Sequence, residues 1–164
     1  MQLEQLSYIA EITAAILVIV SLVYVGIQVR QNTAALKLST AQNLSEDFTD
    51  IYLALSQNND TAGIFQRGLQ DYDSLESVEK VRFYAFFHKF FRIYENAYYQ
   101  YVNGALEEEP FEGISNQLVM LGSMPGLRSY WNDRKSFYNS RFQAFVDESV
   151  MTDNGVEFTL AGTR

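Results

Sequence analysis

Residues 12–29 read ITAAILVIVSLVYVGIQV, from Ile12 to Val29 without a charged side chain. The run shows no polar face at helical spacing, and a helix apolar all round has to be buried in something. Leu6, Tyr8, Ile9 and Ala10 extend the run to about 24 residues, which at about 1.5 Å per residue crosses a hydrocarbon core of about 30 Å. Glu11 falls at the outer edge of that span, where a carboxylate reaches water or binds a proton; at the centre it would cost about 3 kcal/mol. Tyr8 and Tyr24 sit towards the two ends, as amphipathic rings do at membrane interfaces, and Arg30 closes the segment. The central helix of a soluble bundle would carry a polar stripe over such a length. A cleaved signal peptide would show Lys or Arg before the run and a small-x-small site soon after it, and the chain has neither. Residues 1–30 therefore read as a single transmembrane anchor.

Arg30 and Lys37 follow the span, whereas only Glu4, Glu11 and the chain terminus precede it. Positive-inside reasoning then places the anchor in the inner (cytoplasmic) membrane with the C-terminal domain in the cytoplasm.

The remaining length suits one core, so residues 31–148 are expected to form one domain and residues 149–164 a tail that is loosely held or pairs with another copy. With 20 Asp and Glu against 12 Lys and Arg, the summed field repels phosphate backbones, which argues against a nucleic-acid partner. Attachment to lipid must come from apolar insertion rather than from a polybasic patch. The absence of cysteine removes disulfides, thiolate catalysis and Cys-ligated zinc. Pro110 and Pro125 are the only prolines, and long stretches lack glycine, so the fold class is all-α: an N-terminal transmembrane helix continuing into a small aromatic-rich helical bundle.

Between Arg30 and Gly63 there is no glycine or proline, Ala34, Leu38, Ala41, Phe48, Tyr52 and Leu55 recur every three or four residues, and Asn58-Asn59-Asp60 ends the pattern. The first helix should run to about Ser56. Gly26, Ala34, Ala41 and Ser45 offer a seam of small residues along it, open to a helix of the same chain or to a second copy. A short helix at Ala62–Leu69 is expected to stop at Gly68 and Asp71–Asp73. Ser74, Glu76 and Ser77 are cap candidates for a long helix that ends at Asn103–Gly104. That helix holds ten Phe and Tyr residues between Phe83 and Tyr101, with Arg82, Lys89, Arg92, Asn96, Gln100 and Asn103 gathered in one arc. It should be the centre of the core, with neighbours on several sides. Phe111–Leu121 reads as a further helix ending at Gly122, and Ser123 as a cap ahead of Pro125. Leu127, Trp131, Tyr138, Phe142 and Phe145 make the last apolar stripe.

His88 and Glu95 lie two turns apart inside the apolar arc of the aromatic helix, with Arg92 one turn from each. A buried carboxylate needs a partner. One reading is an ion pair that holds helices in register, using Arg92 or Arg128, Arg134 or Arg141 from the last helices. The other is a ligand pocket walled by Tyr84, Tyr98 and Tyr99 and anchored by Glu95 or His88. Glu107, Glu108, Glu109 and Glu112 lack the alternating oxygen ligands and turn glycine of a calcium loop and read as a solvated loop. No HExxH pair, serine elbow, phosphate-cradling glycine loop or second histidine is present, so neither a catalytic residue nor a metal or other cofactor is implied.

The span through VRQNTAALKLS, then IFQRGL, RFYAFFHKFFRIYENAYYQY and PGLRSYWNDRKSFYNSRF, resembles a group of uncharacterised bacterial single-span membrane proteins. The resemblance implies a bacterial origin and a short anchor followed by a small helical domain, and carries no activity or site residue with it. The expected role is a membrane-tethered helical interaction module, a scaffold or accessory subunit that self-associates, with lipid and another membrane protein as the expected partners. The alternative expectation is a membrane-anchored sensor that binds a small ligand in the aromatic pocket.

Overall fold

The computed structural model describes residues 2–151, with side chains from Gln5 onward. Every regular element among them is helical: α1 Gln2–Gln57, α2 Asn59–Gln70, α3 Ser77–Val102, α4 Glu108–Leu121, α5 Pro125–Arg134 and α6 Ser140–Ser149, with single 3-10 turns at Tyr72–Ser74 and Lys135–Phe137. The chain is all-α. Two compact units are present, Met1–Ser39 and Thr40–Arg164. Beyond Met151, the expected tail lies outside the described residues.

The first unit is helix throughout its described length, and its large apolar side chains from Leu6 to Leu38 are 50–66% exposed. It carries an 18-residue window of mean hydropathy 2.4, none of it buried, and is long and apolar enough to cross a membrane. Its polar side chains turn inward on the helix. The hydroxyls of Thr13, Ser21 and Thr33 donate to the carbonyls of Ile9, Leu17 and Val29 at 2.8, 2.8 and 2.9 Å, and Gln28 Nε2 donates to the Tyr24 hydroxyl at 2.9 Å. Lipid offers no hydrogen-bond partners, so a spanning segment must satisfy its polar groups in this way. At about 100° per residue, Thr13, Ser21, Tyr24 and Gln28 fall within one arc of about 80°, a weak polar stripe.

The second unit is built on α3. Glu79 Oε2 accepts from the Glu76 backbone N–H at 3.1 Å, which makes Glu76, rather than either serine, the cap. The helix stops where Gly104 takes a φ of 73°, the left-handed conformation that ends many helices and favours glycine. Phe83, Phe87, Phe90, Phe91, Tyr94 and Ala97 are buried on it, while Arg82, Lys89, Arg92, Asn96 and Asn103 face out and Gln100 is half-buried. Within this unit α1 contributes Leu44, Phe48 and Ile51, and Phe48 meets the edge of the Tyr94 ring at a centroid distance of 5.0 Å. Phe91 stacks between Tyr130 and Trp131 at 5.4 and 5.0 Å, which ties α5 to α3; such pairs add about 0.5–1.5 kcal/mol each beyond area burial. Tyr101 stacks on Phe111 of α4 at 4.2 Å, and Tyr98 on Phe145 of α6 at 4.9 Å.

Two local expectations are corrected. Gly68 does not stop α2; the helix continues to Gln70 and is capped by Asp71, whose N–H donates to the Arg67 carbonyl. Its lack of a side chain serves packing instead, because a Cβ there would overlap the Phe83 ring, and one on Gly126 would overlap the Gly68 carbonyl. Backbones of α2 and α5 thus meet glycine against glycine. Ser123 does not cap α5: its hydroxyl donates to the Met120 carbonyl at 2.9 Å, and Met124 holds the cap position before Pro125. Gly126→Ala should destabilise the protein by about 1–3 kcal/mol, read as a lowered denaturation midpoint with an unchanged m-value.

Candidate functional site

Glu95 is the one charged residue in the described core, 9% exposed on the inner face of α3. Removing a carboxylate from water costs several kcal/mol unless hydrogen bonds replace the lost hydration. Both oxygens are matched. Arg92 Nη1 donates to Oε2 at 2.6 Å, and Asn139 donates to Oε1 twice, through its backbone N–H at 2.7 Å and its side-chain Nδ2 at 3.0 Å. The same Asn139 caps α6 by accepting from the Phe142 N–H at 2.9 Å. The carboxylate therefore fixes where the last helix begins.

Of the cross-helix partners expected for Glu95, the arginines of the last helices do other work. Arg134 lies over the Tyr84 and Phe137 rings at 4.8 and 5.4 Å, Arg128 donates to the Met151 carbonyl at 3.0 Å, and Arg141 is exposed. The signal for Asn139 was present but unread: an asparagine directly before a segment with apolar residues at Phe142, Phe145 and Val146 is a helix-start signature.

His88 lies beside the same cluster. Its Nδ1 is 3.5 Å from the Tyr138 hydroxyl, which bonds the Tyr130 hydroxyl at 2.7 Å, and Arg92 covers the Tyr138 ring at 5.2 Å. Burial, and then the Tyr130 contact, push the Tyr138 hydroxyl well above its ordinary pKa, so it stays protonated. Tyr84 belongs to a different place, donating to Asp133 Oδ2 at 2.7 Å and packing on Tyr72 and Tyr130. Fourteen residues of helix, about 21 Å, separate it from Tyr98, which packs on Phe111, Phe142 and Phe145. Tyr99 is exposed on the outer face, where an open groove is lined by Arg92, Glu95, Asn96, Tyr99 and Asn139. The structure thus gathers Glu95, Arg92 and Tyr99 at one groove, sets His88 next to it and leaves Tyr84 apart.

Of the small-residue seam, Ala41 packs against the core of the second unit and Ser45 is exposed, while Gly26 and Ala34 are uncovered in the first unit. The Tyr94 hydroxyl is buried and has no hydrogen-bond partner among the described residues. No group of three or more His, Cys, Asp or Glu side chains converges among those residues as metal ligands would.

Set against protein-family models, curated proteins and solved structures, the chain matches none. Function has to be reasoned from the chemistry of its own residues.

Because it pairs with Arg92 within α3 and holds Asn139, the cap of α6, across the bundle, Glu95 should be costly to change. In Glu95→Gln the amide must turn a donor towards Arg92, and a loss of about 1–3 kcal/mol in chemical denaturation is expected, where a mere ligand anchor would leave the midpoint unmoved. A second, milder effect is expected at Asp147, which accepts from Trp131 Nε1 at 2.7 Å and Lys135 Nζ at 3.1 Å. Burial works to raise this carboxyl, but those two partners outweigh it and hold it below its usual range. Its contribution is therefore complete above the unfolded pKa of about 3.9 and is lost as pH falls through the lower folded value. Thermal melts of Asp147→Asn should lose less stability between about pH 4 and pH 2 than melts of the parent.

Proposed function

We propose that this chain is a membrane-tethered helical interaction module: a scaffold or accessory subunit whose first unit spans the inner membrane and whose second unit is presented to the cytoplasm. The observation that carries the reading is the exposed apolar helix of the first unit, whose hydroxyl groups are satisfied within the helix and whose surface suits hydrocarbon. Arg30 and Lys37 on its C-terminal side support a cytoplasmic second unit. Lipid is the first partner on this reading.

Self-association is part of the proposal. Gly26 and Ala34 are uncovered small residues, and packing between spans draws on small residues and on hydroxyl or amide groups such as those of Ser21 and Gln28. An accessory role is favoured over a ligand sensor because both Glu95 oxygens are already matched by Arg92 and Asn139. A ligand in the neighbouring groove would have to displace those bonds.

The test is fractionation and topology of the full chain. The protein should stay in carbonate-washed membranes, and Val18→Asp with Val20→Asp, at about 3 kcal/mol each near the helix centre, should release it. A C-terminal tag should resist protease in sealed cells and be cleaved after lysis. Light scattering of the detergent-extracted protein should give a mass above the monomer. A monomer would end the self-association claim, and cleavage in intact cells would reverse the orientation.

A further inference from the structure

On the second unit, two helix faces carry opposite charge and lack a neighbour. The outward face of α3 presents Arg82, Ala85, Lys89 and Arg92, all exposed, beside Val78 and Val81, which are 70% and 68% exposed. No acidic residue lies between Glu79 and Glu95, although the chain as a whole has a net charge of −8. Arg92 is paired with Glu95 through Nη1, whereas Arg82, which donates to the Thr61 hydroxyl, and Lys89 are in no ion pair among the described residues. The outward face of α1 in the same unit presents Glu46, Asp50 and Leu53, exposed, with neither carboxylate in an ion pair among those residues.

The two faces also match in order. From Glu46 through Asp50 to Leu53 the sequence of chemistry is acid, acid, apolar; from Arg92 through Lys89 to Ala85 it is base, base, apolar. Each run spans seven residue steps, about 10.5 Å. Laid antiparallel with Glu46 opposite Arg92, the end positions coincide and Asp50 falls one residue, about 1.5 Å, from Lys89, within reach of the long lysine side chain. The isolated charge pairs would be weak in water, but several in register beside exposed apolar side chains select one partner orientation over others.

We propose that a second copy of this chain docks here, the Glu46–Asp50–Leu53 ridge of one copy lying antiparallel along the Arg92–Lys89–Ala85 ridge of the next. The interface deepens the self-association described above and rests on it, because copies joined through their spans hold their second units at high effective concentration.

The chain has no cysteine, so single introduced thiols report contacts cleanly. Full-length Leu53→Cys and Ala85→Cys proteins, differently tagged, are co-reconstituted in vesicles of neutral phospholipid and oxidised; Gly26→Cys is treated in parallel as a report on the span. A mixed Leu53→Cys/Ala85→Cys dimer is expected. It should be lost when Asp50→Lys is added to the first protein and regained when Lys89→Glu is added to the second. Cross-linking of Gly26→Cys without the mixed dimer would overturn this interface and leave self-association standing. Failure of both would overturn the two together. A mixed dimer indifferent to both charge changes would overturn the charge-matched pairing.

Discussion

Covering the helix of the first unit is the condition on which the rest of this protein depends. Between Ile12 and Val29 there is no charge to hold water, and the apolar side chains stand uncovered on its surface. In water such a surface drives aggregation, since monomeric soluble proteins rarely leave large contiguous apolar patches bare. The helix meets the opposite requirement, that of a medium without hydrogen-bond partners, by folding its own hydroxyls back onto carbonyls four residues earlier. Both facts suit a helix long and apolar enough to cross a membrane.

The second unit answers a different constraint. Its central helix is aromatic over most of its circumference, so α1, α2, α4, α5 and α6 each have a ring to cover, and stacked rings such as Phe91 with Trp131 set how they lie. Close approach of α2 and α5 is possible because two glycines meet there. The one buried charge orders the assembly: Glu95 holds Asn139, and Asn139 starts α6. What remains exposed on α1 and α3 of this unit is charge of opposite sign.

Much of this was legible in the residues. The long apolar helix was readable from Ile12–Val29 alone, the start of α3 was narrowed to Ser74, Glu76 or Ser77, and its end followed from Asn103–Gly104. The need of Glu95 for a partner followed from its place in the apolar arc, and Arg92 was readable from helix spacing. Asn139 carried a helix-start signature but could not be read as a partner of Glu95, because pairing across helices depends on how they pack, which no local pattern contains. Gly68 misled for a related reason: a glycine kept for close backbone approach looks, in sequence, the same as one that ends a helix. The pocket expected from Tyr84, Tyr98 and Tyr99 failed on distance, since tyrosines on one long helix pack against different neighbours along its length.

The most direct test of the central claim is the water accessibility of the first unit in its native setting. Val20→Cys can be exposed to a membrane-impermeant maleimide in isolated membranes, with Ser45→Cys of the second unit as the accessible control. The account predicts that Ser45→Cys reacts on open vesicles while Val20→Cys reacts only after detergent and denaturant are added. Ready labelling of Val20→Cys in intact membranes would mean that water reaches the middle of the helix, and the membrane-spanning reading would fall.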